Sequence, residues 1–72
     1  MTLTINGQPR EFPDLASTCS LEILLATLGL KQDRVAVEHN GCIVSRDTWS
    51  ATPLADGDRL EIVHFVGGGA AR

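Results

Sequence analysis

The sequence has few cysteines, few aromatic residues and no long apolar run. Its two cysteines, Cys19 and Cys42, do not form a C-x-x-C pair and are too few for a disulfide framework. No stretch approaches the roughly 18 apolar residues of a membrane span. The start, MTLTINGQPR, shows no charged head before an apolar segment. We therefore expect a cytoplasmic protein that binds no membrane. Both cysteines are predicted to be small buried side chains, with a redox or nucleophilic role as the alternative.

Positive charge is also scarce. Six Lys and Arg residues stand against nine Asp and Glu residues, which gives a net charge of −3. Nucleic-acid binding needs a basic surface, so we expect no nucleic-acid partner. A partner with a basic docking surface suits this charge better, although a charge of this size is also common in soluble domains.

The sequence also lacks the combinations of residues that catalysis usually requires. The sequence contains no Ser/His/Asp arrangement, no metal-ligand spacing and no phosphate-binding loop. His39 and His64 have no ligand partners in the sequence, so each is predicted to be structural or exposed. The sequence therefore predicts a protein that is not an enzyme and that binds neither a metal nor a cofactor.

The hydrophobic pattern predicts one small domain built around two hairpins. The apolar fraction is 43% of 72 residues, which indicates a packed core in a single domain. Asn-Gly pairs mark both hairpin turns, because both residue types tolerate positive φ. The predicted segments are strands over residues 1–6, 10–12, 34–39, 42–44 and 59–66, a helical turn over residues 45–50 around Trp49, and a polar turn over residues 55–58.

The segment SLEILLATLGL, residues 20–30, predicts the main helix. Ser20 is a natural N-cap, because its hydroxyl can accept a hydrogen bond from the first turn. Gly29 stands where a left-handed C-cap is expected. The leucines at helical spacing, which form one apolar stripe, are Leu21, Leu24, Leu25 and Leu28.

The order of these elements predicts an α+β fold of the β-grasp, or ubiquitin-like, type. One helix lies across one face of a mixed sheet of four to five strands. The helix also supplies the crossover that lets the first and last strands run parallel. We expect the β-grasp domain over residues 1–66, followed by a flexible glycine tail with a three-residue extension over residues 67–72.

The segment DRLEIVHFVGGG, residues 58–69, closely resembles the C-terminus of the ThiS family, the sulfur carriers of thiamine biosynthesis. The segments LTINGQ, SLEILLATLGL, VAVEHNGCIVSRDTW and ADGD also fit its pattern, though they would suit any β-grasp carrier. The resemblance implies that a glycine carboxylate is the reactive group, here that of Gly69 or, alternatively, Gly68. It further implies a ThiF-type adenylating enzyme that uses ATP, a cysteine desulfurase or persulfide protein as sulfur donor, and a ThiG-type thiazole synthase as acceptor.

Glycine suits such a tail on physical grounds. Gly67 and Gly68 carry no Cβ, so the chain there can thread a narrow channel and leaves room for a sulfur nucleophile. A frayed chain end is the alternative interpretation. The sequence continues after Gly69 with Ala70-Ala71-Arg72. The resemblance therefore implies either a tail-clipping protease or an inactive precursor.

The last strand also predicts a docking surface. If Leu60 and Ile62 face the helix, the two-residue period of a strand puts Glu61, Val63 and Phe65 on the opposite face. A single helix cannot cover both faces, so these side chains would form a patch for partner docking. A bulge that reverses the period and buries Phe65 is the alternative.

The sequence is also compatible with two other functions. One is a sulfur carrier for molybdopterin or another sulfur-containing metabolite. The other is a β-grasp interaction module whose tail carries no chemistry. Replacing Gly69 separates the classes, because a carrier would lose its function and an interaction module would keep it.

Overall fold

The computed structural model describes residues 1–65, and residues 66–72 lie outside the described part. It contains five strands and one α-helix. In chain order they are β1 (Thr2–Ile5), β2 (Gln8–Glu11), α1 (Leu21–Thr27), β3 (Val35–His39), β4 (Cys42–Val44) and β5 (Arg59–His64). Short 3-10 helices cover Gln32–Arg34 and Arg46–Ala51.

The sheet has the order β2-β1-β5-β3-β4. Its two middle contacts differ in direction, because β1 and β5 run parallel whereas β3 and β5 run antiparallel. Both hairpin pairs, β1 with β2 and β3 with β4, are antiparallel. The mixed sheet with one main helix confirms the predicted β-grasp fold.

Both hairpins turn on Asn-Gly pairs with positive φ. The φ angles are 51° and 82° at Asn6 and Gly7, and 50° and 88° at Asn40 and Gly41. Positive φ at both central residues matches the right-handed twist of the flanking strands. The prediction of both turns is confirmed, but the return strand begins at Gln8 rather than at residue 10. Pro9 is tolerated there because β2 is an edge strand.

Helix α1 has the predicted caps at both ends. The Ser20 Oγ accepts a hydrogen bond from the Ile23 N–H at 3.3 Å. Gly29 has φ of +74° and its N–H donates to the Ala26 carbonyl at 3.0 Å, while the Leu30 N–H donates to the Leu25 carbonyl at 3.1 Å. This pair of bonds is a Schellman motif, so the helix ends where the sequence predicts.

The core lies between α1 and one face of the sheet. Trp49 fills it from the second 3-10 helix and donates from Nε1 to the Val44 carbonyl at 3.1 Å. Alternation along the strands places every buried strand residue on this face. The buried side chains are Leu3, Ile5, Phe12, Cys19, Leu21, Leu24, Leu25, Val35, Val37, Trp49, Leu54 and Leu60.

The two cysteines differ in burial. Cys19 is buried, as predicted, whereas Cys42 is exposed. The prediction for Cys42 is wrong because this residue opens the edge strand β4, directly after the Asn40-Gly41 turn, where only β3 lies beside it. Within residues 1–65, no helix is both long and apolar enough to cross a membrane.

Candidate functional site

The face of the sheet opposite α1 is not covered by any element of residues 1–65. We call it the open face. Cross-strand pairing places Glu61 opposite Glu38 and Val63 opposite Ala36. On the other side of β3, Ile43 lies opposite Glu38. Side chains of directly paired residues share a face, so these residues form one continuous surface across β5, β3 and β4.

Most of the exposed large apolar side chains lie on this face. Ile43 is 81% exposed, Val63 57% and Phe65 46%, whereas Ile23, on the solvent side of α1, is 50% exposed. Apolar residues gathered on one face of a small domain indicate a binding surface, because single exposed apolar residues are usually scattered.

The register of β5 explains why Phe65 is exposed. Five consecutive residue pairs join β3 to β5 without a bulge, and the Phe65 N–H donates to the Arg34 carbonyl at 2.7 Å. The alternative prediction, a bulge that reverses the strand period and buries Phe65, is therefore wrong. The predicted exposure of Glu61, Val63 and Phe65 is confirmed, while their role in docking stays a prediction.

A shallow groove crosses the open face. Its volume is about 160 Å³, enough to receive part of a partner side chain. Apolar side chains and two carboxylates border it, so it can contact both an apolar and a cationic group. The lining residues are Ala36, Val37, Glu38, Ile43, Glu61 and Val63.

Sequence reasoning missed Ile43 and Glu38 as members of this surface. The signal was present, since a two-residue turn at Asn40-Gly41 makes His39 and Cys42 neighbours and therefore pairs Glu38 with Ile43. Val37 faces the core, and the strand period then puts Glu38 and Ile43 on the open face.

A polar cluster holds the end of the sheet where β5 begins. The Asp58 carboxylate lies 2.7 Å from His39 Nε2 and accepts hydrogen bonds from the Asn40 side chain at 3.1 Å and the Ala55 N–H at 2.9 Å. Burial alone would raise the pKa of Asp58, but these hydrogen bonds outweigh it and lower that pKa. His39 is thus structural, as predicted, and His64 is exposed.

The open face extends to the last described residue. Strand β5 runs from Arg59 to His64, so Glu61 lies near its start and Phe65 follows its last residue. Val66 and the predicted tail residues Gly67, Gly68 and Gly69 follow Phe65 directly but lie outside the described residues. Residues 1–65 contain no group of three or more His, Cys, Asp or Glu side chains that could hold a metal ion.

Known proteins resemble this chain over nearly its whole length. The model of the ThiS family matches residues 3–69. The chain is 37% identical to the sulfur carrier protein ThiS of Bacillus subtilis, over 93% of this chain and 98% of that protein. It is also 42% identical to a thiazole synthase of Magnetococcus marinus and 43% identical to one of Paramagnetospirillum magneticum. These two alignments include 96% and 97% of this chain, respectively. The chain spans only about a fifth of the length of either synthase.

A solved structure supports the same relationship. The crystal structure of the thiamine biosynthesis protein ThiS from Geobacter metallireducens matches with a TM-score of 0.80 and 40% identity. The match covers 96% of this chain and 100% of that one. Sequence and fold agree over the same residues, and the chain therefore belongs to the ThiS family.

Proposed function

We propose that this chain is a sulfur carrier of thiamine biosynthesis that transports sulfur as a thiocarboxylate on Gly69. The observation that carries the proposal is the extent of the family match, which ends at residue 69, the third glycine of the tail. The near full-length likeness to the Bacillus subtilis sulfur carrier supports the same function. The chain then acts as a carrier and not as an enzyme.

The proposed chemistry takes place on the glycine carboxylate. A ThiF-type adenylating enzyme joins it to the α-phosphate of ATP and releases pyrophosphate. A persulfide then attacks the acyl carbon and AMP leaves, after which a thiol cleaves the S–S bond and a thiocarboxylate remains. Gly69 has no Cβ to obstruct this attack. The partner supplies the ATP site, so the carrier needs no catalytic side chain of its own.

The proposal requires a free carboxylate at the glycine. Residue 69 is followed by Ala70, so the Gly69–Ala70 peptide bond must be cleaved before adenylation. We assign this step to a protease, since residues 1–65 include no metal-binding group and the sequence offers no nucleophile–base pair. Cleavage one residue earlier would make Gly68 the reactive terminus.

The partners follow from the same proposal. The open face, with Glu61, Val63 and Phe65, docks on the adenylating enzyme and positions the tail in its active site. A ThiG-type thiazole synthase accepts the sulfur. The two thiazole synthases that contain a segment alignable with this chain favour that partner. A cysteine desulfurase or persulfide protein supplies the sulfur, and the proposed location is the cytoplasm, where ATP is available.

Reconstitution tests the proposal. Chains that end at Arg72, Gly69 and Gly68 are each incubated with the adenylating enzyme, ATP and a persulfide donor, and their intact masses are measured. We expect only the chain ending at Gly69 to gain mass by exchange of one oxygen for sulfur, and only with ATP. Sulfur loading of the chain that still ends at Arg72 would refute the processing step. A Gly69→Val variant that retains full function would instead indicate an interaction module.

A further inference from the structure

Two glutamates face each other on the open face. Glu38 on β3 and Glu61 on β5 are directly paired, and both are exposed. The Cβ atoms of such a pair lie about 5 Å apart, where like charges destabilise the sheet. The pair therefore carries a cost for the free protein.

Neither glutamate forms an ion pair within residues 1–65. Within residues 1–65, the Met1 amino group pairs with Glu11, and the His39 side chain contacts Asp58. Arg59 lies on the same face, two residues before Glu61 on β5, yet it forms no ion pair with either glutamate in this part of the chain. A like-charge pair that forms no ion pair in the folded protein is typical of a functional surface.

The surroundings of the pair define what it can bind. Glu38 is flanked by Glu61 on one side and by Ile43 on the other, and both carboxylates line the same groove as Val63. A guanidinium is a planar fork with five donors that can reach two carboxylates. Its aliphatic stem can pack against Ile43 and Val63. Lysine offers a compact charge without this fork.

We propose that the Glu38–Glu61 pair receives one arginine side chain of the adenylating enzyme and so sets the orientation in which the carrier docks. The identity of this partner rests on the proposed function. Glu61 and Phe65 are four residues apart, about 13 Å along an extended strand. The carrier thus has a charged anchor at one end of the open face and an apolar anchor at the end that leads to the glycines. Two different anchors allow only one direction of docking, the one that brings the tail to the active site.

The test compares isosteric variants that each remove carboxylate charge. Glu38→Gln, Glu61→Gln and the double variant are titrated into the adenylating enzyme by calorimetry, at low and at physiological salt. Glu22→Gln, on the solvent side of α1, is the control for lost charge. Thermal unfolding of each free variant is measured in parallel.

We expect opposite effects on binding and stability. The double variant should raise the Kd about tenfold or more, as loss of a close interfacial charge pair does, with a smaller effect at high salt. The same variant should raise the Tm by about 1 to 5 °C, since the repulsion is gone. Each single variant should change the logarithm of Kd by less than half as much as the double variant does, because the remaining carboxylate still holds the guanidinium.

Two results would overturn this inference. One is a double variant that binds as tightly as Glu22→Gln, and the other is wild-type protein that does not bind the adenylating enzyme at all. The intact mass after incubation with ATP and a persulfide donor distinguishes a failure of the arginine contact from a failure of the carrier function. If wild-type protein ending at Gly69 gains sulfur while the double variant keeps wild-type affinity, the arginine contact is wrong and the carrier function stands. If wild-type protein neither binds nor gains sulfur, both proposals fail.

Discussion

Replacing Ile43 with alanine tests the open face as the docking surface. Ile43 is 81% exposed, so folding buries little of it and nearly all of its side chain is available to a partner. The substitution removes three carbon atoms, worth about 2 kcal/mol when buried in an interface at roughly 0.8 kcal/mol per methylene. We therefore expect the Kd for the adenylating enzyme to rise about 30-fold.

The chain offers a matched control for this variant. Ile23 is 50% exposed and lies on α1, which packs against the other face of the sheet. Ile23→Ala removes the same atoms from a surface that the proposed complex leaves free. Calorimetric titration of both variants into the adenylating enzyme should show weaker binding for Ile43→Ala alone.

Stability measurements complete the comparison. Thermal unfolding should leave the Tm of Ile43→Ala within a few degrees of wild type, because an exposed edge-strand residue contributes little to folding. Equal Kd values for Ile43→Ala and Ile23→Ala, with both proteins folded, would refute the assignment of the open face to docking.

Three further predictions concern the fold that carries this face. Because the folded pKa of Asp58 is lowered from its ordinary 3.8, its contribution to stability is present above that pH and is lost as pH falls through the folded pKa. Urea unfolding should therefore show Asp58→Asn less stable than wild type at pH 7, with the difference shrinking as the pH falls below 3.8; a constant difference would contradict this. Gly29→Ala should cost about 1 to 2 kcal/mol, because φ is +74° and no atom obstructs a Cβ. Gly29→Asn should cost less, and equal costs would contradict the left-handed cap. Leu24→Ala, at a fully buried position, should lower the unfolding free energy by about 2 to 5 kcal/mol, and a loss below about 1 kcal/mol would contradict its place in the core.

Local signals in the sequence were sufficient to predict the main elements. The Asn-Gly pairs define both hairpins because few other residues adopt positive φ at two consecutive positions. Ser20, the leucine stripe and Gly29 define the helix, since caps and helical spacing act within a few residues of one another. With the element order known, one helix and five strands leave few arrangements.

Other features depend on contacts between distant segments. The place of Trp49 in the core required knowing that the second 3-10 helix packs beside α1. The exposure of Cys42 follows from its position on an edge strand, which only the strand order reveals. Glu38 meets Glu61 because β3 pairs with β5, a contact between residues far apart in sequence.

The predicted role of residues 67–69 depends on chemistry rather than on packing. Glycine explains how a chain can enter a narrow site, but in the proposed mechanism partner enzymes catalyse the reaction. The roles of Gly67, Gly68 and Gly69 therefore stay predictions, supported by the family match over residues 3–69.

The intact mass of the protein purified from its own cells, without a C-terminal tag, tests the central claim most directly. We predict a species that ends at Gly69, part of which is heavier by the exchange of one oxygen for one sulfur. A single species that retains residues 70–72 and stays unmodified after incubation with native extract and ATP would contradict the account.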